Sequence, residues 1–368
     1  MSLDFSMDTP SGPRVTIAGR ERDYFSGTGY LGLHNHPAVQ QAALDAIRRY
    51  GMATGTSRGG YGEHILYAEL EAEARAFFAA EAVLYFPSGY MNALLLAQGL
   101  RERYERIFID ESAHFSLWDG ARAAAKPIHA FPHLQPQALA QALRREMRPG
   151  ERALLLSDGV FSISGEIAPV PEYRAVLADY PGSWIALDDA HGAGAIGPNG
   201  RGTLDYHGIS APDCLAGATL SKALGGYGGI IPASAAVIEE LQRNARVYVG
   251  ASPPPLPAAA ASRAALALAY SQPELRVRLA DNVRRVRDGL RAQGWDVEDS
   301  PVPVVCLRAR PGLDLGKIKA ALFERDLCIA HVTTYSSTPP GGALRIAVFA
   351  THAPEQIERL LEAFRKVG

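Results

Sequence analysis

Short apolar runs recur along the first two thirds of the chain, each closing on a small or polar residue. They are AVLYF (82–86), RIFID (106–110), ALLLSDG (153–159), SWIALDD (183–189), CLAGATL (214–220) and GIIPAS (229–234). AVLYF gives way to PSG and then to MNALLLAQGLRERY, which reads as strand, turn and helix. Strand alternating with helix in this way predicts a doubly wound, mainly parallel sheet with helices on both faces, the α/β class.

The flanking regions have a different texture. The first thirty or so residues are polar and rich in Gly, Ser and Asp, and predict an arm (1–36) rather than a layer of the core. After Pro37, the residues Val39, Ala43, Ile47 and Tyr50 recur at helical spacing, and Gly51 is placed to end that helix. TGTSRGGYG (54–62) must be a loop. Beyond SPPPLP, an alanine-, leucine- and arginine-rich stretch over 256–293 predicts a long helix broken at Pro273. The strand-like VPVVCLRA and LRIAVFA then flank a helix, and Ile357, Leu360, Leu361, Phe364 and Val367 form the apolar stripe of a last one. The expected organisation is an arm, a large domain over 37–255, and a linking helix with a smaller C-terminal α+β domain over 256–368.

Composition narrows the class of function. In 368 residues, 47% are hydrophobic and 21% charged, as in ordinary globular proteins, and the formal net charge is -2. With no basic excess, neither nucleic acid nor an anionic membrane is an expected partner; small neutral or anionic metabolites are. Cys214, Cys306 and Cys328 lie far apart and form no CxxC pair, so they read as buried thiols of a reducing compartment, and no metal is expected. The start MSLDFSMDTPSGPR lacks a basic head followed by an apolar core, and no apolar stretch is long enough to span a bilayer, so a cytoplasmic location is expected.

Ligands of an open α/β sheet sit at the carboxyl ends of its strands. The polar residues just beyond the apolar runs are Ser88, Gly89, His114, Ser162, Asp188, His191, Thr219, Ser221 and Lys222. Lys222 precedes a glycine-rich segment in GATLSKALGGYGGII, which admits a phosphate-gripping loop, a lysine that reacts with a carbonyl, or an ordinary lysine beside a turn. A Walker loop has its glycines before the lysine and a hydroxyl after it; here the glycines follow, and Ala223 comes next. A dinucleotide fingerprint in DAHGAGAIGPNG also fails, since Gly192, Gly194 and Gly197 lead into Pro198, Asn199 and Gly200 rather than a helix.

The covalent reading finds all its parts. A lysine that forms a Schiff base with pyridoxal 5'-phosphate needs an anion to keep the pyridine nitrogen protonated, a stacking partner, a hydrogen bond to the phenolic oxygen and a phosphate seat. Asp188 can supply the first, and since Asp188 and Asp189 point to opposite faces of a strand, only one of them can reach the ring. His191 can bond the phenolic oxygen. Ser88, Gly89 and Tyr90 stand at a strand-to-helix turn, where free N–H groups and the helix dipole favour a phosphate, and Thr219 and Ser221 add hydroxyls.

These segments resemble the α-oxoamine synthases, fold-type-I pyridoxal phosphate enzymes, from about residue 29 to the C-terminus. The resemblance is carried by GYLGLHNHPAV, FPSGYMNA, DESAHFSLWDGA, GVFSISGEIAPV, LDDAHGAGAIGPNGRG, ATLSKALGGYGG, ASPPP and GGALRIAVF. It implies an aminotransferase-like fold and makes Lys222 the Schiff-base lysine and proton shuttle, with Asp188 as partner of the ring nitrogen. It also implies that His191 and Ser162 contact the phenolic-oxygen side, that His114 stacks on the ring, and that Arg345 holds the substrate carboxylate. The reaction it implies condenses an amino acid with an acyl-CoA thioester, releasing CoA and carbon dioxide, at a homodimer interface into which Ser252 reaches as a phosphate contact.

The departures from the family pattern bear on substrate. Gly29 stands where an asparagine is expected, Tyr67 where SRGGYGEHILY should have histidine, and Asn92 one place early. Gly250 and Ala251 replace hydroxyl residues, and neither Arg14 nor Arg20 matches an acyl-binding arginine securely. The altered 59–67 segment and Gly29 leave transamination, decarboxylation or retro-aldol cleavage as an alternative outcome on the same cofactor. A catalytically silent subunit is the third possibility, opposed by the intact lysine, aspartate and histidine set. The segment SRGGYGEHILY is where substrate choice is expected.

Overall fold

The computed structural model describes residues 6–367 and opens on a hairpin of β1 (Arg14–Ile17) and β2 (Arg20–Tyr24). This part of the chain is a structural layer and not a free arm: β2 pairs in parallel with the two-residue strand Leu327–Cys328. The sequence hid it because RVTI and RERDY hold few apolar positions. Val15 and Ile17 are buried, and ion pairs supply the rest. Asp23, itself buried, is met by Arg14 Nε at 3.2 Å and Arg359 Nη1 at 2.8 Å, while Arg20 reaches Asp326 at 2.8 Å.

The large sheet contains β3 (Ala82–Phe86), β4 (Arg106–Asp110), β5 (Ile128–Phe131), β6 (Ala153–Asp158), β7 (Trp184–Asp188), β8 (Cys214–Thr219) and β9 (Gly229–Ala233), in the spatial order β3-β9-β8-β7-β6-β4-β5. All of its pairings are parallel except the two made by β9, which runs antiparallel to both β3 and β8. Each apolar run of the sequence is therefore a strand, and every residue of β6 and β7 is buried, as expected of strands covered on both faces. β5, the edge strand, has no such run: three of the four residues of IHAF are partly or fully exposed.

The C-terminal domain carries β10 (Val304–Arg308), β11 (Leu327–Cys328), β12 (Ala330–Val332) and β13 (Ala343–Ala347), with β13 antiparallel between β10 and β12. The linking helix is two helices, Leu256–Ser271 and Glu274–Arg291, interrupted at Pro273, which cannot continue the hydrogen-bond ladder. In the last helix, Pro354–Val367, residues Ile357, Leu360 and Phe364 are buried. No helix among the described residues is long and apolar enough to cross a membrane. All three cysteines are free, and burial pushes each thiol up to about 11.

The helix Pro37–Tyr50 ends at Gly51, whose φ of +76° is left-handed. Its buried face differs from the expected one: Val39 and Ala46 are buried, whereas Leu44 and Ile47 are 48% and 42% exposed. Two further helices position the site. Asn92–Gly99 follows the turn after β3, and Phe115–Ala123 follows β4 with the His114 imidazole accepting from Ser116 N at its start. They pack closely because residue 120 is glycine; a Cβ there would lie 2.6 Å from the Ala93 backbone carbon. Gly120→Ala is expected to force the two helices apart at a cost of about 1–3 kcal/mol, read as a lower urea midpoint in circular dichroism.

Candidate active site

One cavity of about 230 Å³ collects ten of the candidate residues: Ser88, Gly89, Tyr90, His114, Ser162, Asp188, His191, Thr219, Ser221 and Lys222. They come from the carboxyl ends of β3, β4, β6, β7 and β8, where parallel strands stop and their neighbours leave a crevice. Lys222 Nζ lies 2.7 Å from His191 Nε2. Burial lowers the lysine to about 8, with Asp188 pulling the other way, and burial holds His191 well below the usual histidine range. The imidazole is thus neutral, and Lys222 has a substantial uncharged fraction near neutral pH.

Asp188 and Asp189 divide as strand geometry requires. Asp188 lines the cavity, where Ser116 Oγ donates to it at 3.3 Å and Ala190 N at 3.2 Å. Asp189 faces away, accepting from Thr203 N at 2.6 Å and Thr203 Oγ1 at 2.7 Å, and fixes the glycine-rich turn that follows. Asp158, on the neighbouring strand in register with Asp188, also lines the cavity. Burial and the neighbouring Asp188 raise it well above its ordinary value, and its Oδ2 accepts from His114 N at 2.8 Å. Asp158 and Ser116 escaped the sequence reading, although Asp158 closes its apolar run much as Asp188 does.

Ser88 Oγ accepts from Tyr90 N at 3.3 Å, opening the turn into the helix Asn92–Gly99. Gly89 is required for close approach, since a Cβ there would lie 2.7 Å from Thr219 Cβ. The segment after Lys222 folds back through Gly225 and Gly228, at φ +65° and +100°, and Leu220 N donates to Gly228 O at 2.9 Å. Asn92 is buried, with Nδ2 donating to Ala218 O at 3.3 Å, and braces the turn from below.

Arg345 stands beside the cavity rather than in its lining. Its Nε donates to Ser162 O at 2.7 Å, Nη1 to Gly27 O at 3.1 Å and Nη2 to the Tyr30 hydroxyl at 3.1 Å. The same hydroxyl is 2.7 Å from His191 Nδ1. A continuous chain of contacts therefore runs from Lys222 through His191 and Tyr30 to Arg345, and Tyr30 is a site residue that the sequence reading did not single out. At Gly29 the space beside the backbone is taken by His34, whose Nδ1 lies 3.0 Å from where a Cβ would be and whose Nε2 is 3.1 Å from Ser221 O.

Three features of the sequence lie away from this cavity. Tyr67 is fully buried and donates to Pro254 O at 2.6 Å, while Arg58 binds Glu63, Glu71 and Tyr85 O. Arg58 and Tyr67 of SRGGYGEHILY are thus held in the scaffold, outside the cavity lining, whereas Tyr61 is fully exposed. Ser252 lines a separate small recess with Arg58 and Tyr248. Arg14 and Arg20 are engaged in the hairpin's ion pairs.

The residues fit pyridoxal phosphate. Ser162 Oγ is buried without a hydrogen-bond partner, the Asp188 carboxyl lines the cavity, and a lysine with a lowered pKa faces both a neutral histidine and the cavity. An orphaned donor, a carboxyl and a reactive amine around one cavity are the groups that cofactor uses.

Comparison with known proteins agrees. The family described as aminotransferase class I and II matches residues 26–364. The 8-amino-7-oxononanoate synthase of Methylococcus capsulatus is 36% identical over 359 residues, spanning 97% of this chain and 92% of that one. That of Geobacter sulfurreducens is 36% identical over 365 residues, spanning 97% and 91%. A serine palmitoyltransferase from Sphingomonas wittichii superimposes with a TM-score of 0.91 at 26% identity, covering 99% of this chain and 92% of that one. The Francisella tularensis 8-amino-7-oxononanoate synthase, at 23% identity and a TM-score of 0.78 over 94% of this chain and 97% of that one, shares the fold. The chain belongs to the class I and II aminotransferase family and, within it, to the α-oxoamine synthases, fold-type-I acyltransferases that depend on pyridoxal 5'-phosphate.

Proposed function

We propose that the protein condenses an amino acid with an acyl-CoA thioester, releasing CoA and carbon dioxide and leaving an α-amino ketone, as the name of its 8-amino-7-oxononanoate synthase relatives suggests. The observation that carries the reading is the convergence of Lys222, His191, Asp188 and Ser162 on one cavity in a chain that matches those relatives over nearly its whole length. The bound cofactor supplies an electron sink for negative charge at the amino acid's α-carbon.

The chain's own residues do the remaining work. Lys222 anchors the cofactor covalently and, once displaced, takes and returns the proton at the substrate α-carbon; a pKa lowered to about 8 suits an amine for both tasks. Asp188 holds the pyridine nitrogen protonated. His191, fixed through Nδ1 by Tyr30, and Ser162 through its free hydroxyl address the phenolic oxygen. His114 covers the ring face. The N–H groups of Gly89 and Tyr90, with Ser88, Thr219 and Ser221, seat the phosphate. Arg345 binds the amino acid carboxylate. Ser252, remote from this cavity within one chain, completes the phosphate seat of a second copy in a homodimer.

Supplying an amino acid and an acyl-CoA together is expected to release free thiol, with none from either alone. Lys222→Ala is expected to lose both this activity and the visible absorbance of the attached cofactor. Conversion of the cofactor to its amine form by one amino acid without an acyl donor would replace this reading with transamination.

Attachment of the cofactor needs the uncharged amine, and burial has moved that titration down to about 8. In stopped-flow reconstitution of the apoprotein, the initial rate is expected to rise roughly tenfold per pH unit up to about 8 and then level off. A rise continuing towards 10 would show Lys222 to be unshifted.

A further inference from the structure

The turn from Phe161 to Glu166 carries Ser162 to the cofactor cavity and is closed by its own backbone. Phe161 N donates to Glu166 O and Gly165 N to Phe161 O, both at 2.9 Å. Gly165 is left-handed at φ +74°, and a Cβ there would lie 2.7 Å from Val304 O of β10. The turn therefore sits directly against the C-terminal domain. Ile163 N donates to Ser337 Oγ at 3.3 Å, and the same segment of that domain brings the Tyr335 hydroxyl to 2.7 Å from His114 Nε2.

Two arginines of the C-terminal sheet hold the two ends of this turn. Cys306 on β10 is paired with Arg345 on β13, and Arg308, two residues further along β10, projects from the same face. Arg345 Nε donates to Ser162 O at 2.7 Å, and Arg308 Nη2 donates to Glu166 Oε1 at 3.0 Å. On the other side of Glu166 stands His133, its Nε2 3.2 Å from Glu166 Oε2 and its Nδ1 2.9 Å from Oδ1 of Asp110 at the end of β4. Asp110 is wholly buried and its second oxygen accepts from Leu134 N at 2.9 Å, so the imidazole is held at both nitrogens by carboxylates. Glu111 accepts from the His133 backbone N at 3.3 Å, the Phe161 ring meets the imidazole edge to face at 4.4 Å, and Glu298 shares Arg308 at 3.3 Å. Burial opposes a charge on His133, but its bonds to Asp110 and Glu166 outweigh this and raise the imidazole to about 9. The bond to His133 in turn lowers Glu166 to about 2. Near neutral pH, Glu166 is thus an anion gripped between two cations.

We propose that Glu166 is a positioning residue for recognition of the amino acid carboxylate: clasped by His133 and Arg308, it fixes the turn whose Ser162 carbonyl aims Arg345. The inference rests on the reading that Arg345 binds that carboxylate. A guanidinium aimed by fixed carbonyls meets a carboxylate in one orientation, whereas one held by a loose turn spends binding energy on ordering it. Glu166 itself lies outside the cavity lining. Breaking the clasp weakens the binding of amino acids and leaves untouched the binding of amines that present no carboxylate.

The test compares two ligands by spectral titration of the holoenzyme: one accepted amino acid, and the primary amine with the same side chain and no carboxylate. In Glu166→Gln and in Arg308→Gln the dissociation constant of the amino acid is expected to rise roughly tenfold, with that of the amine unchanged. The preference for amino acid over amine is then followed with pH in the wild type and in His133→Asn. Each ligand's own amine titrates in this range, and that contribution cancels when the wild-type preference is divided by that of the variant. His133 is protonated below its raised titration, so this quotient is expected to be roughly tenfold near neutral pH and to fall towards one as the pH passes about 9. Amino acid and amine weakened alike in Glu166→Gln and Arg308→Gln, or neither weakened, overturns the proposal, as does a quotient that stays constant through that pH. Wild-type enzyme that binds the two ligands equally would remove the reading of Arg345 itself, and the proposal with it.

Discussion

The amine of Lys222 is buried against the neutral imidazole of His191 in the cavity that Asp188 also lines, and this desolvation sets the conditions for every other group around it. An ammonium ion taken out of water is costly, so the amine titrates near 8 instead of its ordinary value. The same burial keeps His191 uncharged, which lets it lie 2.7 Å from the lysine without repulsion. Two carboxyls stand in register at adjacent strand ends, and burial together with Asp188 raises the Asp158 carboxyl well above its ordinary value. One fixed cation, Arg345, stands at the side of the site. The Ser162 hydroxyl, buried without a partner, remains for whatever oxygen atom enters.

The backbone makes this burial possible. β6 and β7 have no exposed residue, so their carboxyl ends deliver Asp158 and Asp188 directly into a dry crevice. The glycines at 89, 225 and 228 then allow the phosphate turn and the lysine segment to close around it, and Asn92 pins one to the other. Tyr67 and Arg58 act one layer further out, tying the loop after the first long helix to Tyr85 and Pro254. Two residues of the conspicuous local oddity of the sequence, SRGGYGEHILY, thus belong to the framework.

Much of the inner site was legible because strands covered on both faces write themselves as apolar runs, and the residue after each run is where a ligand can sit. Ten residues found that way share one cavity. What could not be read has a common physical origin. Tyr30 and Tyr335 reach the site from segments far away in the chain, Tyr30 near the first long helix and Tyr335 in the C-terminal domain, and no local pattern announces a tertiary contact. The hairpin at Arg14–Tyr24 is held by charge pairs between the buried Asp23 and half-exposed arginines, and β5 lies at a half-exposed edge, so neither shows hydrophobic periodicity.

Arg345 has one more consequence. It belongs to β13 of the C-terminal domain, yet its guanidinium is fastened to a carbonyl at Ser162 of the large domain and to another at Gly27 near the N-terminus. Three parts of the chain far apart in sequence thus meet in a single side chain. A carboxylate that binds there binds only when those parts are in register, so by linkage its binding energy holds them in register. The arginine makes recognition of the small ligand and alignment of the domains one equilibrium.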